Sequence, residues 1–107
     1  MFSYVLLKGS RQGLLSSDFR EAGKRAYQGI LQHFIRVNND LTLSLTDCCS
    51  VSGLGPGKGP FVPKGKENYR RDGSFDYYMS EPVRNNDPKG IGPFIWASLE
   101  MEQHNAQ

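Results

Sequence analysis

"GIGPFIWASLEMEQH", residues 90–104, decides how this chain folds. Wound as a helix, Ile91, Phe94, Ile95, Trp96, Ala97 and Leu99 set apolar groups nearly all the way round its first turns, and such a helix has to be covered on several sides. The spacing predicts a helix from Gly90 to about His104. A chain of 107 residues is one domain at most, with a modest core, and its other helices can hardly supply that cover. Neighbouring structure outside this sequence is therefore expected. The start of the chain gives the same expectation: "MFSYVLLKG" enters helical periodicity at Met1, with Ser3 too early to cap it.

Two more helices precede the last one. Phe2 to Leu15 gathers Phe2, Val5, Leu6 and Leu7 and ends at "GLLSSD", where Gly13 can stop one helix and Ser17 or Asp18 can cap the next. The second is predicted as one uninterrupted helix over residues 17–37. Phe19, Ala22, Ala26, Tyr27, Ile30, Leu31, Phe34 and Ile35 form its apolar stripe, and Arg20, Glu21, Lys24, Arg25, Gln28 and Gln32 face away. Gly23 and Gly29 cost about 1 kcal/mol each relative to alanine, which the stripe outweighs.

Two segments alternate as half-buried strands should: Leu41, Leu43 and Leu45 with Thr42, Ser44 and Thr46, and Phe75, Tyr77 and Met79 with Asp76, Tyr78 and Ser80. They are expected to pair, with a glycine-rich loop between them. Glu81-Pro82 and Asn86-Asp87-Pro88 read as turns that launch the last helix, with Asp87 as its cap.

That loop, "CCSVSGLGPGKGPFVPKGK" at residues 48–66, invites three chemical readings and supports none of them. A phosphate cradle around Gly57-Lys58 needs glycine where Ser52 stands and a hydroxyl residue where Gly59 stands; one around Gly65-Lys66 needs glycine at Pro60. A dinucleotide fingerprint starting at Gly53-x-Gly55 meets Lys58 in place of its third glycine. Adjacent Cys48 and Cys49 rarely converge on one tetrahedral metal ion, and His33 and His104 show no ligand spacing to them. A disulfide between neighbours is strained, so both are expected as reduced, largely packed thiols. No cofactor or metal is implied.

Thirteen Lys and Arg against eleven Asp and Glu leave a formal charge of +2, too small and scattered to argue for nucleic acid. No apolar run approaches the ~20 residues of a membrane span, and Val5-Leu6-Leu7 is too short for a signal peptide core. No membrane partner is expected.

In chain order, "KGSRQGLL", "AGKRAYQGILQHFI", "LSLTDCCSVSGLG" and "DGSFDYYMSEPVRNNDPKGIGPFIWASLEME" resemble the C-terminal end of the unsaturated rhamnogalacturonyl hydrolases, glycoside hydrolase family 105, related to family 88. The likeness covers essentially the whole chain. It implies an all-α fold with a small β-hairpin, residues 1–107 being the C-terminal portion of an (α/α)6 barrel of six helical hairpins. The helix from Gly90 and that from Phe2 would be inner helices, and the striped one an outer helix.

The family's implied chemistry is hydration of the C4=C5 enol ether in an unsaturated uronic acid, after which the hemiketal collapses and the glycosidic bond breaks. This differs from displacement by paired carboxylates. A single aspartate assisted by a second acidic residue moves the protons, and both lie upstream of the matched region. Asp18, Asp40, Asp47, Asp72, Asp76 and Asp87 match neither, so the chain alone is expected to be inactive.

What the resemblance assigns to this region is part of the pocket rim. It puts Cys48, Cys49 and Ser50 near the bound sugar, with Cys48 where a threonine is more usual. It also offers the Arg71-Asp72 pair, either meeting a uronate carboxylate or holding a turn. Lys58, Lys64 and Lys66 read as a solvated surface loop. The implied partners are an unsaturated uronyl oligosaccharide in the complete barrel and either the remaining barrel or a second copy of the chain. Residence in the cytoplasm or periplasm is implied by family alone. The other reading is a small non-catalytic helical module descended from such a barrel, acting through surface contacts.

Overall fold

The structure, a computed structural model, describes residues 1–56 and 70–106. These form two compact units, one of Met1–Cys48 with Asn85–Gln107 and the other of Cys49–Arg84. The first unit holds three helices, α1 (Phe2–Arg11), α2 (Asp18–His33) and α4 (Pro88–Asn105), and the strands β1 (Ile35–Val37) and β2 (Leu43–Leu45). In the second are β4 (Gly55–Pro56), β5 (Arg70–Arg71), the short helix α3 (Phe75–Ser80) and β6 (Val83–Arg84), while β3 (Cys48–Cys49) begins at its edge. The chain is mostly helical with small antiparallel hairpins.

The core of the first unit forms where α1 meets α2 and α4. Leu7 is fully buried, and Ala97 of α4 is 1 % exposed. Ser3 sends its hydroxyl to the Gly23 carbonyl at 2.9 Å. The backbones approach so closely there that a Cβ on Gly23 would stand 2.9 Å from Leu7 Cγ. Gly23 is thus required by packing, which explains why α2 carries a helix-weakening residue at its only buried position. Tyr27 stacks on Phe94 with ring centroids 5.9 Å apart and gives its hydroxyl proton to Ser98 Oγ at 2.9 Å, joining α2 to α4.

Between α1 and α4, Arg11 clasps Glu100 through two 2.8 Å bonds, Nε to Oε2 and Nη2 to Oε1. Nearby, His104 donates from Nε2 to the Leu7 carbonyl at 3.1 Å. Chiefly through these hydrogen bonds, and against the opposing effect of burial, Arg11 holds the Glu100 carboxyl below its usual value of 4.5. The unfolded chain therefore takes up a proton at Glu100 before the folded chain does. This contribution to stability is complete above pH 4.5 and is lost as pH falls below that value through the lowered native one. Melting temperatures measured across this acid window should fall steeply for the natural chain, and Glu100→Gln should flatten that slope.

The structure corrects four expectations about local structure. The second helix runs unbroken through Gly23 and Gly29 but ends at His33, with Phe34 N bonded to the Ile30 carbonyl; residues 35–37 then turn into β1. Ile35 and Val37 are β-branched and suit an extended backbone, and β2 offers them a ladder: Ile35 opposite Leu45, Arg36 opposite Ser44 and Val37 opposite Leu43. The partner of residues 43–45 is therefore this segment and not residues 75–79. Its turn is closed by Asp40, whose Oδ1 accepts from Thr42 N at 3.1 Å and Thr42 Oγ1 at 2.7 Å.

The faces of β2 are also inverted relative to its alternation. Ser44 is 4 % exposed while Leu43 is 62 % exposed. The buried hydroxyl is satisfied by Asn38 Nδ2 at 2.9 Å and Asn86 Nδ2 at 3.3 Å, so burial leaves no orphan there. Finally, residues 75–80 are helical. Ser74 is extended at its cap position and accepts from Tyr77 N at 3.1 Å, and this local cap decides a segment too short for its alternation to be diagnostic.

The last helix starts at Pro88, two residues before the expected Gly90, with Asp87 Oδ1 accepting from Lys89 N at 3.0 Å and Pro88 in the first turn. Its apolar belt is only partly covered within this chain: Ile95, Trp96 and Leu99 are each 51 % exposed. Alongside runs an apolar groove of about 220 Å³ lined by Ile35, Leu43, Leu45, Ile91, Phe94 and Ile95, with Asn86 at its polar edge. Among the described residues no helix is long and apolar enough to cross a membrane.

Candidate functional site

The second unit is built around the segment that follows the cysteines. Gly55 pairs with Arg71 and Pro56 with Arg70, antiparallel, so β4 and β5 bring the start and return of the glycine-rich loop side by side. Ser50 N donates to the Pro82 carbonyl at 3.0 Å, and β3 and β6 are sheet neighbours. Gly73 takes a φ of +77°, which L side chains rarely adopt, and so turns the chain from β5 into α3. Asp72 Oδ1 accepts from Ser74 N at 2.9 Å, and Ser74 in turn caps α3. Removing that cap with Ser74→Ala should cost about 0.5–2 kcal/mol in thermal or urea unfolding.

This arrangement aims Tyr77 inward. The ring is 8 % exposed, and its hydroxyl oxygen accepts the Gly53 N–H at 3.0 Å. The Glu81 carboxylate and the Ser52 side chain lie near the same hydroxyl and influence its proton. Burial first, then donation to Glu81 and the negative charge there, push the Tyr77 phenol above its usual 10.0; the Gly53 and Ser52 bonds pull the other way. Ser52, Gly53, Leu54, Gly73, Tyr77 and Tyr78 together line an open depression of about 240 Å³.

Arg71 lies under the same loop. Its Nη1 is 2.7 Å from where a Cβ on Gly53 would stand, and it donates from Nε to the Gly55 carbonyl at 3.4 Å and from Nη2 to the Pro56 carbonyl at 3.2 Å. The loop from Gly53 to Pro56 is thereby held from two sides, by a phenol and by a guanidinium.

Of the residues singled out in the sequence, Cys49, Ser50, Arg71 and Asp72 fall in this unit, and Cys48 is the last residue of the other. Cys48 is half-buried with its Sγ close against Gly90, as a packed thiol should be. Cys49 is exposed, its Sγ 3.2 Å from the Val51 carbonyl, so the expectation of two packed thiols holds for one of them. Both are free thiols. Alternation along a strand sends neighbouring side chains to opposite faces, which gives the two their different surroundings. Ser50 is 2 % exposed, and its Oγ has no hydrogen-bond partner among the described residues. Lys58, Lys64 and Lys66 lie outside the described residues. Among the described residues no three of His, Cys, Asp and Glu gather as metal ligands.

The sequence reading missed Tyr77 and Glu81, because it assigned Tyr77 to a strand. A signal was present in "DGSFDYYMSEP": a glycine and a capping serine before the segment and a proline just after it enclose one or two helical turns. On such a turn, residues four apart such as Tyr77 and Glu81 share a face.

Comparison with known proteins adds the context of the whole chain. The family model described as Glycosyl Hydrolase Family 88 matches residues 1–105. Protein Atu3128 of Agrobacterium fabrum is 36% identical over 104 residues, covering 94% of this chain and 41% of that protein. The 24.9 kDa protein in the picA locus of Rhizobium radiobacter gives the same identity and coverage, so the chain spans 41% of the length of both curated relatives. Among solved structures, a C. acetobutylicum ATCC 824 glycoside hydrolase from family 105 superimposes with a TM-score of 0.75 at 44% identity, over 94% of this chain and 25% of that one.

Proposed function

The chain belongs to glycosyl hydrolase family 88, and from that premise we propose that residues 1–107 are the C-terminal segment of an (α/α)6 barrel whose complete form hydrolyses unsaturated uronyl oligosaccharides of rhamnogalacturonan type. The observation that carries this reading is the 44% identity to a family 105 glycoside hydrolase over 94% of the chain. The half-exposed Ile95, Trp96 and Leu99 support it, because inner helices of a barrel need cover from the hairpins on either side. The remaining barrel is thus the proposed partner of this apolar face.

In this reading the reaction starts with a proton delivered to C4 of the unsaturated sugar. The π electrons form the new C4–H bond, the ring oxygen stabilises the cation left at C5, and water adds to C5 while giving up a proton. The resulting hemiketal opens, and the hemiacetal at C1 then releases the neighbouring sugar as an alcohol. The second unit contributes part of the rim, with Cys49, Ser50, Arg71 and Asp72 as its proposed sugar-facing segment. Cys49 is the exposed member of that group, and the Arg71 guanidinium, bonded to the Gly55 and Pro56 carbonyls, holds the rim in shape.

The test is the reaction of the complete protein in heavy water. Hydration places one deuterium at C4 of the product, visible by mass and by NMR. Ordinary displacement at the anomeric carbon leaves C4 and C5 untouched, and a product still unsaturated and free of deuterium would overturn the reading.

A further inference from the structure

Among the described residues of the second unit, Tyr77 is the one deeply buried phenol, and its hydroxyl takes the Gly53 amide of the loop. Gly53 N donates to it at 3.0 Å. The phenol is itself held by its own helix: Ser74 Oγ accepts from Tyr77 N at 3.1 Å, and Tyr78 N bonds the Ser74 carbonyl at 3.1 Å. On the other side of Gly53 stands the Arg71 guanidinium, where even a methyl group would collide with it at 2.7 Å.

We propose that Tyr77 is the positioning residue of the Ser50–Leu54 rim, fixing through the Gly53 amide the wall of the depression that receives a sugar ring. This rests on the proposed function, which makes that rim a saccharide contact. A rim glycine without side-chain packing of its own is kept in place only by what bonds its backbone, and the Tyr77 hydroxyl is such a bond. A loose rim must be ordered again each time a ligand binds, so release of the Gly53 amide should weaken binding.

The experiment compares this chain with its Tyr77→Phe and Tyr77→Leu variants by NMR, reading amide exchange and the shifts caused by an unsaturated uronyl disaccharide. Phenylalanine keeps the ring and removes only the oxygen. Expected for Tyr77→Phe are at least tenfold faster exchange at Gly53, unchanged exchange at Tyr78 in α3, an unchanged melting temperature within a few degrees, and at least fivefold weaker disaccharide binding. Tyr77→Leu separates the two roles: it should lower the melting temperature and also speed exchange across α3. Unchanged Gly53 exchange in Tyr77→Phe would overturn the proposal. So would a freed Gly53 with undiminished affinity, since the rim would then need no positioning. If the natural chain shows no shift with the disaccharide, the saccharide reading of this rim falls, and the Gly53 exchange rates by themselves decide whether Tyr77 holds the loop.

Discussion

The pure 107-residue chain is expected to leave an unsaturated uronyl disaccharide intact, its ultraviolet absorbance falling no faster than in buffer. Added together with the family 105 glycoside hydrolase cut back to remove the quarter that this chain matches, it is expected to restore a steady loss. The motive lies in how the described carboxylates are engaged. Glu100 is clasped by Arg11 inside the helical unit, Asp87 caps α4, Asp40 closes the β1–β2 turn, and Asp72 accepts from the Ser74 amide. General acid catalysis needs a carboxyl held against the substrate and contributes about 10²–10⁴-fold, and orientation of the reactants adds a further factor of that order or more. Neither is expected to survive in the single wall of a pocket that the proposed barrel segment would supply. An enzyme-dependent loss of absorbance that persists through repurification of the chain alone would defeat this, and Asp72 would be the first carboxylate to replace.

Where the sequence could be read, it was read through periodicity over long segments. The stripe from Phe19 to Phe34 sets α2 because seven apolar residues repeating at three and four spacing admit one geometry. The Asp87 cap was equally legible, since Asp before Pro-Lys-Gly satisfies an orphan amide in a way few other arrangements do. What escaped were short elements, in which a single tertiary bond outweighs the pattern. Ser44 is buried against expectation because Asn38 and Asn86, six and forty-two positions away, reach its hydroxyl. Residues 75–80 are helical because Ser74 caps them, although their alternation fits a strand equally well. The candidate site suffered for the same reason. Its positioning phenol lies on that misread segment, while the family likeness drew attention to Cys48 and Cys49, whose side chains lie in different surroundings.

Leu7→Ala is expected to be the most damaging single truncation in the helical unit. Leu7 is fully buried, and its Cγ and Cδ2 rest 2.9 and 3.1 Å from where a side chain on Gly23 would begin. Truncation removes apolar contact and leaves a cavity between two rigid helices, at a cost of about 2–5 kcal/mol. Urea unfolding should show a lower midpoint with a nearly unchanged slope, because the surface exposed on unfolding stays the same. Gly23→Ala damages the same contact from the other side by overfilling it, at about 1–3 kcal/mol. The two changes are complementary in shape. A methyl group on Gly23 points into the space that Leu7→Ala vacates, so the double variant should be more stable than the sum of the single losses predicts, by about 0.5–3 kcal/mol. Strict additivity would mean that α1 and α2 relax independently at this crossing, and that the close approach of Leu7 to Gly23 does not set the distance between them.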